Sequence, residues 1–257
     1  MPLGYREFVM DLGITGRTAA VAAATAGLGF ASAKALVEAG AKVVICGRTP
    51  ERVDAAVKAL GGNATGVQCD VSTADGAAMF VDLARERLGR IDILVANGGG
   101  PKPGNFASLK TDDYLPALQQ SLLSVVAMCE SAVPAMRQQK WGRVVAITSV
   151  SVRQPIANLI LSNTARAGVT GFLKTLAREV AADGVTVNSA QPGIHATDRI
   201  TQLYGKSPDA GQLGIPAGKV GDPADFGKVV AFLCSEPARF ITGVHVPVDG
   251  GSYAGLL

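Results

Sequence analysis

A hydroxyl and a guanidinium lie four residues apart in the segment LSNTARAG, residues 161–168. Residues with this spacing share one face of a helix, so Ser162 and Arg166 should project together from the helix predicted over residues 162–181. The guanidinium stays charged and cannot pass a proton, but it can donate hydrogen bonds and stabilise a developing oxyanion. The serine hydroxyl is hard to ionise, although it can bind an oxygen atom of a ligand. The pair therefore indicates oxygen binding and charge stabilisation.

The elements that must position this pair follow a repeating strand–helix pattern. Mainly apolar runs predict seven strands, at residues 18–24, 41–46, 64–69, 91–97, 142–148, 184–190 and 243–248. Helical patterns lie between them, for example at residues 29–39, 73–88 and 111–139. Several strands are apolar at nearly every position, as expected for a sheet covered on both faces. The alternation predicts an α/β fold, a Rossmann-type doubly wound parallel sheet of seven strands with helices on both faces.

The 257 residues contain no linker, low-complexity tract or repeat, so we expect a single domain. Residues 1–16 would form an N-terminal extension. Residues 192–219 are rich in Gly and Pro and follow the sixth predicted strand. Long loops of this kind are commonly functional, so this segment is predicted to be a substrate lid.

The composition argues against several classes of protein. With 48% hydrophobic and 18% charged residues, the chain is not typical of disorder. A net charge of +3 and 5% aromatic residues do not favour nucleic-acid binding, and no run predicts a signal peptide or membrane span. The four cysteines, at positions 46, 69, 129 and 234, form no close pair. We therefore expect all four to be reduced thiols that pack in the interior of a cytoplasmic protein, and we expect no metal site.

A glycine turn between the first strand and the first helix indicates a dinucleotide site. Gly27 and Gly29 would let the backbone approach a pyrophosphate at the helix N-terminus. Dinucleotide folds place an acid after the second strand for a ribose 2′-hydroxyl, or an Arg for a 2′-phosphate. Arg48 stands there without an acid, which favours NADP(H) over NAD(H), although it could be a solvated surface residue. Asp70 could bond the adenine or cap the following helix.

Several motifs in chain order resemble those of the short-chain dehydrogenase/reductase family, of the classical type that includes the 3-oxoacyl-ACP reductases. The resemblance extends from about residue 16 to residue 251. It rests on the glycine turn with Ala23, Gly27 and Gly29, on Asp70–Val71, on Ala96 to Gly99, on residues 142–149, on residues 166–193, on Thr197 and on the tail ITGVHVPVDGG.

The resemblance implies positions for the family's catalytic Asn, Ser, Tyr and Lys. They fall on Ser121, Ser149, Ser162 and Arg166, so only the Ser is matched. The cofactor-binding positions that the turn and the resemblance together imply are Ala23, Gly27, Leu28, Gly29, Arg48, Asp70, Val71, Asn97, Gly98, Arg166, Pro192, Gly193, Ile194 and Thr197.

The missing Tyr leaves the source of the proton open. Ser149 and Ser162 could bind the substrate oxygen and relay a proton through water, Tyr204 could enter from the lid, or His195 could act, with a reference pKa of about 6.5. A Tyr in a lid more often lines the substrate pocket than donates a proton. A histidine at the position of His195 is more often a polar loop residue. Arg153 could bind an anionic substrate group or lie on the surface.

Two functions remain open from the sequence. The first is an NADP(H)-dependent oxidoreductase that acts on a small-molecule carbonyl or alcohol with an atypical catalytic set. The second is a non-catalytic dinucleotide-binding or assembly protein on the same fold. The family resemblance also implies a homodimer or homotetramer, paired through the helices predicted at residues 111–139 and 162–181.

Overall fold

The computed structural model describes residues 10–198, 200–201, 205 and 209–256. One sheet of seven parallel strands runs through a single domain in the order β3-β2-β1-β4-β5-β6-β7. This confirms the predicted doubly wound α/β fold. The strands are β1 (Thr18–Val21), β2 (Lys42–Gly47), β3 (Ala64–Gln68), β4 (Ile93–Ala96), β5 (Gly142–Ile147), β6 (Val185–Pro192) and β7 (His245–Val248).

Helices cover both faces of the sheet. The helices used below are α1 (Gly27–Glu38), α2 (Pro50–Leu60), α3 (Ala74–Leu88), α4 (Tyr114–Leu118), α5 (Ser124–Gln138), α6 (Ile160–Val180) and α7 (Pro223–Leu233). One buried apolar cluster lies between the sheet and α3, α5 and α6, and includes Phe80 and Leu173. The other lies between the sheet and α1, α2 and α7, and includes Leu36 and Phe226.

The single helix predicted over residues 111–139 was wrong in one respect. A 3-10 turn (Thr111–Asp113) precedes α4, and a π-helical turn (Gln119–Leu123) separates α4 from α5. The hydroxyl of Ser124 donates a hydrogen bond of 2.8 Å to the carbonyl oxygen of Gln120. A hydroxyl bond of this kind competes with the regular helical ladder and bends helices. Single π turns are frequent at functional sites.

Helix α7 was not predicted, although its start carries a recognisable signal. Pro223 occupies the first helical turn, and the carboxylate of Asp222 accepts a hydrogen bond of 2.8 Å from the amide of Ala224. The first strand was predicted too long. It ends at Val21 because the backbone of Ala23 adopts a left-handed conformation, with φ of 47°, and turns the chain out of the sheet.

The strand order reverses between β1 and β4, and this is where open α/β sheets bind ligands. The glycine turn follows β1, and Asn97 follows β4, so both lie at the carboxyl ends of neighbouring strands. Among the described residues, no helix is long and apolar enough to cross a lipid bilayer.

Candidate functional site

Asn97 holds the glycine turn in place. Its side-chain nitrogen Nδ2 donates hydrogen bonds of 3.1 Å to the carbonyl oxygens of Ala22 and Ala23. A Cβ atom at Gly29 would lie 2.5 Å from that nitrogen and 2.8 Å from the Ala23 carbonyl oxygen. Only glycine fits there, because these neighbours leave no room for a side chain. The role of Gly29 in this structure is therefore close packing of α1 against the strands.

Ala23 occupies a conformation that glycine adopts more readily. Its φ of 47° is in the left-handed region, where a non-glycine residue costs on the order of 1–3 kcal/mol. The amide of Ala23 donates a hydrogen bond of 3.3 Å to Sγ of Cys46, and burial raises the pKa of that thiol to about 12. The turn keeps this conformation because Ala23 is hydrogen-bonded to Cys46 in β2 and to Asn97, which follows β4.

The N-terminus of α1 is open to an anion. Its N-cap residue, Ala26, supplies no side-chain hydrogen bond, and the first turn contains no acidic residue. In the described part of the chain, the amides of residues 27–29 have no hydrogen-bond partner. Gly27 has a φ of +59°, and Cγ2 of Thr197 lies 3.6 Å from the place of a Cβ on Gly27. The unpartnered amides and the positive end of the helix dipole suit a phosphate group.

The segments after β2 and β3 lie beside this turn. Arg48 is exposed, and its carbonyl oxygen accepts a hydrogen bond of 3.0 Å from Nε2 of Gln68. No side-chain hydrogen bond or ion pair of Arg48 occurs among the described residues. Asp70 is exposed, and its Oδ1 accepts a bond of 3.0 Å from the amide of Ser72. The cap of α3 is instead Thr73, whose hydroxyl accepts a bond from Gly76.

Three further predicted cofactor positions have mainly packing contacts here. Val71 is buried in the cluster beneath α3. Leu28 packs against the opposite cluster, and the hydroxyl of Ser32 donates to its carbonyl oxygen at 2.7 Å. A Cβ at Gly98 would lie 3.6 Å from the carbonyl oxygen of Gln120, so Gly98 lies beside the π turn.

The turn after β6 is fixed by backbone bonds to neighbouring segments. Pro192 ends the strand, and the amide of Gly193 donates a bond of 3.0 Å to the carbonyl oxygen of Val248. The carbonyl oxygen of Ile194 accepts a bond of 3.0 Å from the amide of Gly221. This turn lies at the same edge of the sheet as the glycine turn, since all seven strands run parallel.

The carboxyl end of β5 carries the residues predicted for catalysis. Nη1 of Arg166 donates hydrogen bonds of 3.0 Å to the carbonyl oxygens of Ile147 and Thr148. Ser149 follows directly, and its Oγ accepts a bond of 3.1 Å from the amide of Ser151. Helix α6 therefore brings its cation to the strand end that bears Ser149.

Ser162 lies one turn before Arg166 on α6 and is half-buried. Among the residues that the structure describes, its hydroxyl has no hydrogen-bond partner. The spacing places both side chains on one face of α6. The catalytic role that the resemblance implies for Ser162 stays a prediction.

Ser121 lies in the π turn and is 5% exposed. Its Oγ is buried and has no hydrogen-bond partner in the described part of the chain. The same turn packs against α6, since Cδ2 of Leu122 lies 3.3 Å from the place of a Cβ on Gly168. A buried hydroxyl without a partner costs free energy unless a ligand or water satisfies it.

His195 and Arg153 are committed to other contacts. His195 is 4% exposed, its Nδ1 lies 3.3 Å from the carbonyl oxygen of Gly193, and its ring meets Phe226 edge-on at 5.2 Å. Burial lowers the pKa of His195. Arg153 donates to Oε1 of Gln191 at 3.0 Å and is not a free surface cation. Tyr204 lies outside the described residues.

Sequence reasoning missed two polar residues at the strand ends. Thr148 and Gln191 follow the paired residues Ile147 and Ala190, and both are almost fully buried. Thr148 Oγ1 and Gln191 Nε2 have no hydrogen-bond partner among the described residues. The available signal was a polar residue at the carboxyl end of a strand, which is where a parallel sheet places its ligands.

Comparison with known proteins gives consistent matches over nearly the whole chain. Residues 22–253 match the family model described as enoyl-(acyl carrier protein) reductase. A 3-oxoacyl-[acyl-carrier-protein] reductase of Vibrio cholerae is 32% identical over 242 residues, which cover 94% of this chain and 99% of that protein.

Two solved structures are also similar. The L-sorbose reductase from Gluconobacter frateurii, complexed with NADPH and L-sorbose, superposes with a TM-score of 0.89 at 28% identity and covers 96% of this chain and 100% of that one. YwfH, an NADPH-dependent reductase involved in bacilysin biosynthesis, gives a TM-score of 0.88 at 26% identity and covers 94% and 100%.

Proposed function

The chain belongs to the short-chain dehydrogenase/reductase family of oxidoreductases, and from that premise we propose that it transfers a hydride between NADP(H) and a carbonyl or alcohol substrate. The observation that carries the proposal is the open N-terminus of α1 at the point where the strand order reverses. No side chain caps it and no acid precedes it, so it is suited to a pyrophosphate.

The residues around this helix end fit a dinucleotide. The amides of residues 27–29 would hold the pyrophosphate, with Thr197 beside them. Asn97 fixes the shape of the turn through hydrogen bonds to the Ala22 and Ala23 carbonyl oxygens. The turn therefore holds its position without a ligand. Asp70 retains one carboxylate oxygen without a hydrogen bond among the described residues and would reach the adenine.

Arg48 supports NADP(H) in preference to NAD(H). Its guanidinium is exposed at the end of β2, beside the glycine turn, and no acid occupies that strand end. A guanidinium matches the charge and geometry of a 2′-phosphate, whereas an acid there would repel it. The L-sorbose reductase, which was solved in complex with NADPH, and YwfH, an NADPH-dependent reductase, support the same preference.

When bound, NADP(H) supplies or accepts the hydride. The protein's own contribution starts with Ser149 and Ser162, whose hydroxyls bind the oxygen atom of the substrate. Arg166 supplies positive charge beside them and stabilises an oxyanion, because its guanidinium stays protonated. Neither the serine hydroxyls nor the guanidinium can act as the acid, so the proton reaches the substrate oxygen through water. General acid–base assistance is worth about 10²- to 10⁴-fold, and turnover should be slower than in relatives with the Tyr–Lys pair by a factor within that range.

A non-catalytic dinucleotide-binding role is the second candidate, and one observation favours it. Nη1 of Arg166 and Oγ of Ser149 both make hydrogen bonds within the protein, to the end of β5 and to the amide of Ser151. Side chains that support their own backbone in this way are also expected in a protein that has lost its reaction.

Turnover separates the two candidates. Purified protein is titrated with NADPH and with NADH by fluorescence, and then assayed with a panel of 3-oxoacyl thioesters, ketoses and simple ketones. We expect tighter binding of NADPH and slow reduction of at least one carbonyl. Ser162→Ala and Arg166→Ala should reduce turnover, while Thr164→Ala, on an exposed position of the same helix, should not. Binding without turnover would establish the second candidate.

We also propose that the protein is a homodimer or homotetramer paired through α5 and α6, as the family resemblance implies. Light scattering on the purified protein measures this directly. A monomer at micromolar concentration would contradict it.

A further inference from the structure

Arg153 ties the segment after Ser149 to two other strands. Its Nε donates a hydrogen bond of 3.0 Å to Oε1 of Gln191 at the end of β6, and its Nη2 donates one of 2.9 Å to the carbonyl oxygen of His245 in β7. Ser149 lies four residues earlier, at the start of a 3-10 turn that Arg153 ends. A planar guanidinium can serve two separate acceptors, which an ammonium cannot do with the same geometry.

The C-terminal turn, residues 249–253, meets this arginine. The ring centroid of Tyr253 lies 5.3 Å from Cζ of Arg153, within the range of a cation–π contact. Asp249 shapes the turn, because its carboxylate accepts hydrogen bonds from the amides of Gly251 and Tyr253 at 3.0 and 2.8 Å. The ring is therefore held over the guanidinium by a well-bonded turn.

The same turn touches two other parts of the candidate site. A Cβ on Gly193 would lie 2.7 Å from Cβ of Asp249, so the turn after β6 packs directly on it. The amide of Ala217 donates a bond of 2.9 Å to the carbonyl oxygen of Gly250, and Ile215 lies beside the same glycine. Residues 215–217 are the end of the segment predicted to be the substrate lid.

We propose that the C-terminal turn is a positioning element. It fixes the Ser149 segment through Tyr253 and Arg153, and it fixes residues 215–217 through Gly250. Tyr253 and Arg153 are thus positioning residues for the reaction, and this inference rests on the proposed function for its effect on turnover. Misplacement of a reacting group by about 1 Å can cost on the order of 10²-fold in rate. Loosening the turn should therefore lower kcat while leaving dinucleotide binding at α1 unchanged.

The experiment compares three changes in the full-length chain. Tyr253→Ala removes the ring. Arg153→Lys removes the pair of hydrogen bonds that the guanidinium donates to β6 and β7. Tyr253→Phe retains a ring face over the guanidinium. Phe240→Ala is the matched control, because Phe240 is a fully exposed aromatic residue in the same C-terminal part of the chain. For each protein we measure kcat and KM with a carbonyl substrate, Kd for NADPH, and amide hydrogen exchange of peptides covering residues 149–156 and 211–218.

We expect faster exchange in both peptides and a fall in kcat of about ten- to a hundredfold for Tyr253→Ala and Arg153→Lys, with Kd for NADPH unchanged. Tyr253→Phe should retain most of kcat, and Phe240→Ala should match the wild type. Unaltered exchange in Tyr253→Ala would overturn the inference. Absence of turnover in the wild type would instead overturn the proposed function, since the exchange measurement tests the positioning role independently of catalysis.

Discussion

Nη1 of Arg166 lies 3.0 Å from the carbonyl oxygen of Thr148, the residue immediately before Ser149. This bond joins the second turn of α6 to the end of β5 and places a positive charge beside Ser149, the residue we propose as the catalytic Ser. The guanidinium that we propose at the family's Lys position therefore has a defined place. Ser162, which we propose at the family's Tyr position, has a shorter side chain than a Tyr and a hydroxyl that does not ionise at neutral pH.

Introducing a phenol at position 162 and an ammonium at position 166 should accelerate the proposed reaction. In the double variant Ser162→Tyr with Arg166→Lys, the ammonium lowers the pKa of the phenol, which then delivers the proton directly. We expect kcat to rise by about 10²-fold or more. Steady-state kinetics on the substrate identified for the wild type measure this. An equal or lower kcat in a folded double variant would show that Ser162 does not occupy the acid position.

Removing the guanidinium after β2 should alter the choice of cofactor. For Arg48→Ala we expect Kd for NADPH to rise about ten- to a hundredfold, equivalent to a charge-assisted hydrogen bond of about 1.5–3 kcal/mol, with Kd for NADH unchanged. Arg52→Ala, an exposed arginine in the first turn of α2, is the control and should bind both cofactors as the wild type does. Parallel losses of NADPH and NADH affinity in Arg48→Ala would argue against recognition of the 2′-phosphate.

A glycine at position 23 should stabilise the protein. Ala23→Gly relieves the left-handed backbone strain, and we expect the free energy of unfolding to rise by about 1 kcal/mol. Ala22→Gly is the control. Ala22 is fully buried and its φ is not positive, so that change should lower the free energy of unfolding. Chemical denaturation of the wild type and the two variants measures the free energy of unfolding of each. A destabilised Ala23→Gly variant would mean that the strain is absent in solution.

Stability should fall as the pH drops below neutrality. Burial lowers the pKa of both His195 and His245, and Lys174 and Arg153 lower that of His245 further. The unfolded chain, with histidine pKa values of about 6.5, then binds more protons than the folded chain below that pH. This contribution to stability is complete above about pH 6.5 and is lost as the pH falls through the folded-state pKa values.

Denaturation at several pH values tests this assignment. The variant His195→Gln with His245→Gln retains every carboxylate, so the difference between its pH profile and that of the wild type reports the histidines. We expect a shallower loss of stability between pH 7 and pH 5 in the variant, a range set by the histidine reference value of about 6.5. Parallel profiles would assign the acid sensitivity to other groups.

Sequence patterns predicted the sheet well because parallel strands buried on both faces are nearly continuous apolar runs. The π turn could not be predicted in this way, because its residues carry no pattern that separates them from an ordinary helix. The Ser124 hydroxyl bond to Gln120 beside it was visible only in the structure. The environment of His195 was equally hidden, since its partner Phe226 lies in a helix that is distant in sequence. The partners of Arg166 follow from how α6 packs on β5, so its position on the helix was predictable and its hydrogen bonds were not.

Isotope transfer from the cofactor tests the central proposal most directly. NADPH carrying deuterium at the transferable position of its nicotinamide ring is incubated with the wild-type protein and the panel of carbonyl compounds, and the products are examined by mass spectrometry. We predict an alcohol that carries the deuterium on the former carbonyl carbon, formed more slowly by Ser162→Ala and Arg166→Ala. Absence of labelled alcohol from every carbonyl, in protein shown to bind NADPH, would contradict the proposal that this chain is an oxidoreductase.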